Sequence, residues 1–313
     1  MAIAFLFPGQ GSQAVGMGRD LAAAFAAARD VFEEVDEVLK RRLSRLMFEG
    51  PAEELTLTEN AQPALMAVSL AALRVLESEG GFLLRDRVAL VAGHSLGEYS
   101  ALAAAGAFPV ATAADLLRVR GAAMARAVPA GEGAMAALLG VELDLAREIC
   151  AAAAEGEVVA PANDNGGGQV VISGHRAAVE RAIAQAKAAG VKRAMLLPVS
   201  APFHCALMAP AAAVMAEALA RAPIAAPLVP VVANVTAAKA VAPEQIRTLL
   251  VEQVTGLVRW RESLLAMAAM GVDRFLELGA GKVLAGLVKR VLPEAAALSA
   301  GTPAEIEAAL KAL

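Results

Sequence analysis

Cysteine is nearly absent: Cys150 and Cys205 are the only two in 313 residues. Two thiols make neither a disulfide framework nor a metal cluster, so a reducing, cytoplasmic setting without a bound metal is expected. Aromatics supply only 4% of a chain that is 58% hydrophobic. Ala, Leu and Val therefore build the core, a mix that favours helices with β-branched strands between them. Positive charge is not in excess, since the formal net charge is −4 and no basic stripe occurs, which argues against nucleic acid as a partner. Long apolar runs are missing too. The stretch from Ala101 to Ala114 is broken by Gly106 and Pro109 and falls short of the ~20 apolar residues that a bilayer span needs. No basic residue precedes Arg19, so a secretory signal is not expected either, and the chain is expected to be soluble with no membrane partner. Its length suits one large domain carrying an insertion, or two domains.

What the chain does contain is Gly93-His94-Ser95-Leu96-Gly97. An apolar run with strand character, Val88–Ala92, precedes it, and a Leu- and Ala-rich segment of helical character, Leu96–Ala107, follows. Strand, sharp turn and helix form the context in which the serine of a G-x-S-x-G pattern projects its hydroxyl as a nucleophile. The flanking glycines remove Cβ atoms that would collide with the adjoining helix and strand.

From the N-terminus, Ile3–Phe7 reads as a strand closed by Pro8-Gly9-Gln10-Gly11-Ser12-Gln13. This loop has neither the Lys of a Walker loop nor a dinucleotide spacing; it is a plain turn, or one whose backbone N–H groups approach a reacting oxygen. Helical patterns cover Arg19–Leu46, then Asn60, as a cap, to Leu76, and then Pro109 to about Ala127. Arg120 lies in the last of these among Leu116, Leu117, Ala123 and Met124. An arginine on an apolar stripe needs a carboxylate or phosphate, an internal ion pair, or a route for its head to water.

Beyond Pro129–Gly133 the pattern changes to strand Ala134–Leu139, helix Glu142–Ala154, strands Val158–Ala162 and Gln169–Ser173, helix Ala177–Ala189 and strand Arg193–Leu197. That order, βαββαβ, is the split arrangement of a ferredoxin-like unit, with Asn163–Gly168 as its central hairpin turn. Of the three histidines, His94 abuts Ser95, where neighbouring side chains diverge, and His175 opens a helix in the inserted unit. His204 is left as the base for Ser95. No carboxylate announces itself as its orienting partner; the helix ending near Gln253, with Gly256 beyond, offers unpaired terminal carbonyls instead. Arg274–Leu278 then reads as a strand, with Gly279–Lys282 as a tight turn into a helix through Val291.

Five blocks together carry a family resemblance: Phe7–Gln13, Gly93–Tyr99, Arg118–Gly121, Phe203-His204 and Gly281–Leu284. In this order, across nearly the whole chain, they resemble the malonyl-CoA:acyl carrier protein transacylases. One departure is Ala280, where relatives often carry Pro or Asn. The resemblance implies an α/β-hydrolase-like large domain, residues 1–127 and 198–313, with a ferredoxin-like small domain at 128–197. It implies Ser95 as nucleophile, His204 as base, Arg120 for the malonyl carboxylate, backbone N–H groups of Gln10 and Leu96 for the oxyanion, and the Gln253 carbonyl behind the histidine. An aromatic before the histidine, here Phe203, accompanies malonyl use in such relatives. Malonyl-CoA and acyl carrier protein would be the substrates of a monomer working without a cofactor. The competing readings are an acyltransferase of a polyketide synthase or malonate decarboxylase system, a thioesterase, and a non-catalytic module that docks carrier protein.

Overall fold

The computed structural model describes residues 2–313. Among the described residues ten strands occur: β1 (Ala2–Phe7), β2 (Leu90–Gly93), β3 (Gly133–Leu139), β4 (Val159–Gly166), β5 (Gln169–His175), β6 (Arg193–Leu196), β7 (Val231–Val232), β8 (Lys239–Ala240), β9 (Val272–Leu278) and β10 (Ala296–Ala300). The larger sheet has the order β10-β9-β1-β2-β7-β8. Its neighbours are parallel except β7 and β8, which close one edge antiparallel. Parallel strands covered on both faces read as continuous apolar runs, and Ile3–Phe7 is such a run, buried throughout. Side chains alternate across it. Ile3, Phe5 and Phe7 enter the core shared with helices Thr58–Gly80 and Val110–Arg126. Ala4 and Leu6 face the opposite layer, where Trp260, Leu264 and Leu287 come from helices Trp260–Ala269 and Val283–Val291.

The second sheet, β4-β5-β3-β6, is antiparallel throughout. Helices Leu143–Ala153 and Arg176–Ala188 cover one face, closing a separate core around Ala136, Leu138, Ile149, Val170, Ile172 and Val179. The expected βαββαβ order is observed. Its hairpin is shorter than expected: β4 continues through Asn163, Asp164 and Asn165 to Gly166, leaving Gly167 and Gly168, both at positive φ, as the turn. The reason is tertiary. Asp164 N–H donates to the Val258 carbonyl and the Asp164 carboxylate pairs with Arg261, so the segment from Val258 to Arg261 holds this stretch extended.

The helical stretch expected at Arg19–Leu46 is observed, and one further expectation, at Asn60, is corrected. Arg19–Leu46 is three helices, Arg19–Ala24, Ala26–Leu39 and Leu43–Glu49, the second ended by Lys40 at φ 52°. Asn60 is no cap but lies inside helix Thr58–Gly80, where its Nδ2 donates to the Glu54 carbonyl.

Candidate active site

β2 ends at Gly93 and helix Gly97–Ala104 starts four residues later. Between them Ser95 sits at φ 53°, in the left-handed region that a non-glycine residue occupies only under constraint. Both glycines are needed: a Cβ on Gly93 would lie 1.8 Å from the Gly97 carbonyl oxygen, and one on Gly97 would lie 2.1 Å from that of Phe7. Asn234 clamps the corner, its Oδ1 accepting from Ser95 N–H at 2.8 Å and its Nδ2 donating to the Gly93 carbonyl at 2.7 Å.

Ser95 Oγ lies 2.7 Å from His204 Nε2, and His204 Nδ1 lies 2.8 Å from the backbone oxygen of Gln253. With Nδ1–H donating to that carbonyl, Nε2 is left with a free lone pair toward the serine hydroxyl. Gln253 is in the last turn of helix Pro243–Thr255, capped by Gly256. Such a carbonyl has no intrahelical partner, which is why it is available to the imidazole. Burial, and then the charge of Arg120, hold His204 down at about 3, so the ring is neutral near pH 7. The other histidines have other partners: His94 Nε2 meets Asn165 Oδ1 at 2.9 Å, and His175 Nδ1 accepts from Val158 N–H.

Arg120 is 1% exposed and forms no ion pair among the described residues. That disposes of both the internal ion pair and the solvent-reaching head. Its Nη1 donates to Gln62 Oε1 at 2.8 Å; its Nη2 donates to Gln253 Oε1 at 2.9 Å and lies 3.3 Å from Ser95 Oγ. Nε is buried without a partner, and the guanidinium carbon stands 5.6 Å from the Tyr99 ring centroid. Gly121 makes this placement possible, because a Cβ there would lie 2.6 Å from the Thr58 carbonyl oxygen.

Ser95, His204, Arg120 and Gln62 line a cavity of ≈ 520 Å³ together with Gln10, Leu96 and Phe203. The Gln10 and Leu96 N–H groups have no backbone acceptor among the described residues. The second sheet contributes Met135, Asn163, Asn165 and Val171 to its walls. Lys282 points instead to Glu305, at 2.6 Å, and the glycines before it form the expected tight turn. Sequence reading missed Gln62, Glu98, Asn165 and Asn234. Of these only Glu98, a carboxylate in an apolar helical stretch, carried a signal that could have been noticed. No group of three or more His, Cys, Asp or Glu is disposed to hold a metal among the described residues, and no helix there is long and apolar enough to cross a membrane.

Comparison with known proteins agrees in one direction. The acyl transferase domain family matches residues 4–308. The malonyl CoA-acyl carrier protein transacylase of Escherichia coli K12 is 48% identical, with 98% of each chain covered. That of Bacillus subtilis 168 is 47% identical over 99% of this chain and 97% of its own. Among solved structures, the acyl-carrier-protein-S-malonyltransferase of Bartonella henselae superposes with a TM-score of 0.98 at 56% identity, covering 100% of this chain and 99% of that one. A malonyl-transacylase solved in complex with its type II PKS acyl-carrier protein gives 0.97 at 43% identity, with 100% of each chain covered.

Proposed function

This chain belongs to the acyl transferase domain family, and from that premise we infer that it transfers the malonyl group of malonyl-CoA to the phosphopantetheine thiol of acyl carrier protein for fatty acid synthesis. The observation that carries the reading is a serine hydroxyl between a neutral imidazole at 2.7 Å and a buried arginine without a carboxylate partner at 3.3 Å.

Ser95 is the nucleophile. As its oxygen attacks the thioester carbonyl, its proton passes to His204 Nε2, and the Gln253 carbonyl stabilises the imidazolium through Nδ1–H. The N–H groups of Gln10 and Leu96 hold the oxyanion, each such donor typically worth ~3 kcal/mol in the transition state. Collapse expels the coenzyme A thiolate, which takes the proton back from His204. The malonyl-serine ester then meets the carrier thiol: its proton goes to His204, its sulfur attacks the ester carbonyl, and Ser95 leaves and is reprotonated. This is ping-pong transfer. Arg120 donates to the free malonyl carboxylate through the N–H bonds that Gln62 and Gln253 leave unused, a charge-assisted pairing that acetyl cannot make. Phe203 flanks the acyl Cα.

The βαββαβ order and the β4-β5-β3-β6 sheet support reading residues 128–197 as a ferredoxin-like domain inserted in an α/β-hydrolase-like one, 1–127 and 198–313. The transfer as written uses no cofactor or metal, and we place it in the cytoplasm, carried out by a monomer. Intact-mass measurement after malonyl-CoA, acetyl-CoA and methylmalonyl-CoA, with and without carrier protein, tests the reading. A malonyl adduct that moves to the carrier is the expected result; an adduct released only to water would make the protein a thioesterase. Supplying fatty-acid and PKS carrier proteins side by side identifies the pathway.

A further inference from the structure

Glu98, three residues beyond the nucleophile, belongs to the first turn of helix Gly97–Ala104 and is 2% exposed. A buried carboxylate must be compensated, yet it makes no direct ion pair among the described residues. Its Oε2 instead gathers two donors, Gln253 Nε2 at 2.8 Å and Asn234 N–H at 3.0 Å. The Gln253 amide is thereby turned so that its oxygen faces Arg120 at 2.9 Å. A carboxylate only accepts hydrogen bonds, so it imposes this direction on the amide. The Gln253 NH2 group is fixed further by the Ser95 carbonyl at 2.9 Å. One amide thus separates a buried anion from a buried cation. The other titratable groups around Glu98 are Tyr99 on its own helix and His204, which hangs from the carbonyl of the same Gln253.

Resting on the malonyl-transfer reading, we propose that Glu98 is the counter-ion of Arg120 in the free enzyme, that the malonyl carboxylate displaces it from that role when Ser95 is acylated, and that Glu98 then takes a proton from water. Arg120 cannot compensate two buried carboxylates at once. The malonyl carboxylate sets a like charge near Glu98 that offsets the attraction of Arg120, so the charged form of Glu98 is disfavoured. The balance is simple: the carboxylate plus one solvent proton becomes a carboxylic acid, with no other bond changed. Burial already holds Glu98 up at about 7 against the hydrogen bonds from Gln253 and Asn234 and the field of Arg120, so a modest further push reaches working pH. The site's net charge is then the same with and without the acyl group. Acetyl carries no carboxylate and leaves Glu98 as it was.

The test is a proton count in weak buffer with an indicator dye, on the alkaline side of neutrality, as the enzyme is acylated by malonyl-CoA or by acetyl-CoA. Intact mass scores the acyl-enzyme in the same samples. Uptake of about half to one proton per malonyl-enzyme, none per acetyl-enzyme, and its loss in Glu98→Gln is expected. Should that variant fail to fold, infrared difference spectra of the parent decide: the C=O stretch of a buried carboxylic acid appears on malonyl loading and not on acetyl loading. A malonyl adduct formed without proton uptake or that band overturns the proposal and leaves malonyl transfer standing. Absence of any malonyl adduct overturns both. Equal uptake with the two acyl groups assigns the proton to another residue and ends the role of Glu98.

Discussion

The imidazole of His204 is oriented by a main-chain oxygen, that of Gln253 at 2.8 Å, in the place where hydrolytic triads use a carboxylate. A carbonyl fixes the tautomer without adding a full charge that would favour the imidazolium, so burial and then the charge of Arg120 hold His204 down at about 3. His204→Ala should slow acylation roughly 10²–10⁴-fold, and Ser95→Ala should abolish the adduct with the fold intact. Rapid-quench intact mass checks both. A malonyl adduct on the Ser95 variant, or on Cys205 in the parent, would remove Ser95 from the mechanism.

Arg120→Ala should separate the acyl groups. Losing one member of a buried charge pair costs ~3–5 kcal/mol, so kcat/KM for malonyl-CoA should fall about 10²–10⁴-fold, with acetyl-CoA affected far less. Competitive loading from a mixture of the two measures the ratio directly. Equal losses would make Arg120 a structural residue.

Phe203 borders the cavity immediately before the base. One methyl group in an apolar site discriminates by only ~1–3 kcal/mol, so Phe203→Ser should raise the methylmalonyl-to-malonyl ratio of kcat/KM by about one to two orders of magnitude. A melting curve on the same variant separates room from packing: an unchanged ratio with a lowered Tm assigns the ring to the core.

Stability should respond to pH through two opposed groups. Between about 3 and the ordinary value of 6.5, the unfolded chain protonates His204 and the folded one does not, so stability rises with pH there. His94, also lowered by burial, adds in the same direction. Between 4.5 and about 7 the folded state holds a proton on Glu98 that the unfolded state has released, so stability falls as pH rises. The overlap, 4.5 to 6.5, should therefore be shallow in the parent. In Glu98→Gln the opposition is gone, and unfolding free energy should climb with pH more steeply, by up to about 1.4 kcal/mol per pH unit for one proton. Urea titrations at half-unit pH steps read the slope. The same slope in parent and variant would show that Glu98 does not hold its proton in the fold.

The sequence by itself determined what is local in cause. The alternating burial of Ile3–Phe7, the split βαββαβ order and the elbow follow from periodicity and from glycines whose missing Cβ atoms are required within a few residues: Gly93 must clear the Gly97 carbonyl. With three histidines in the chain, elimination also reached His204. The tertiary structure alone decided whatever depends on two distant segments meeting. Asn163–Gly166 has turn composition, yet runs on as strand because Val258 and Arg261, distant in sequence, engage Asp164. Asn234 follows a two-residue strand and has nothing in its neighbourhood to mark it, but it holds both the Ser95 N–H and the Gly93 carbonyl. Arg120 could have been an ion pair or a surface cation on its pattern alone. Gln62 from one helix and Gln253 from another, both neutral, meet its guanidinium, so the cation is solvated by amides and its charge is not paired directly with a carboxylate.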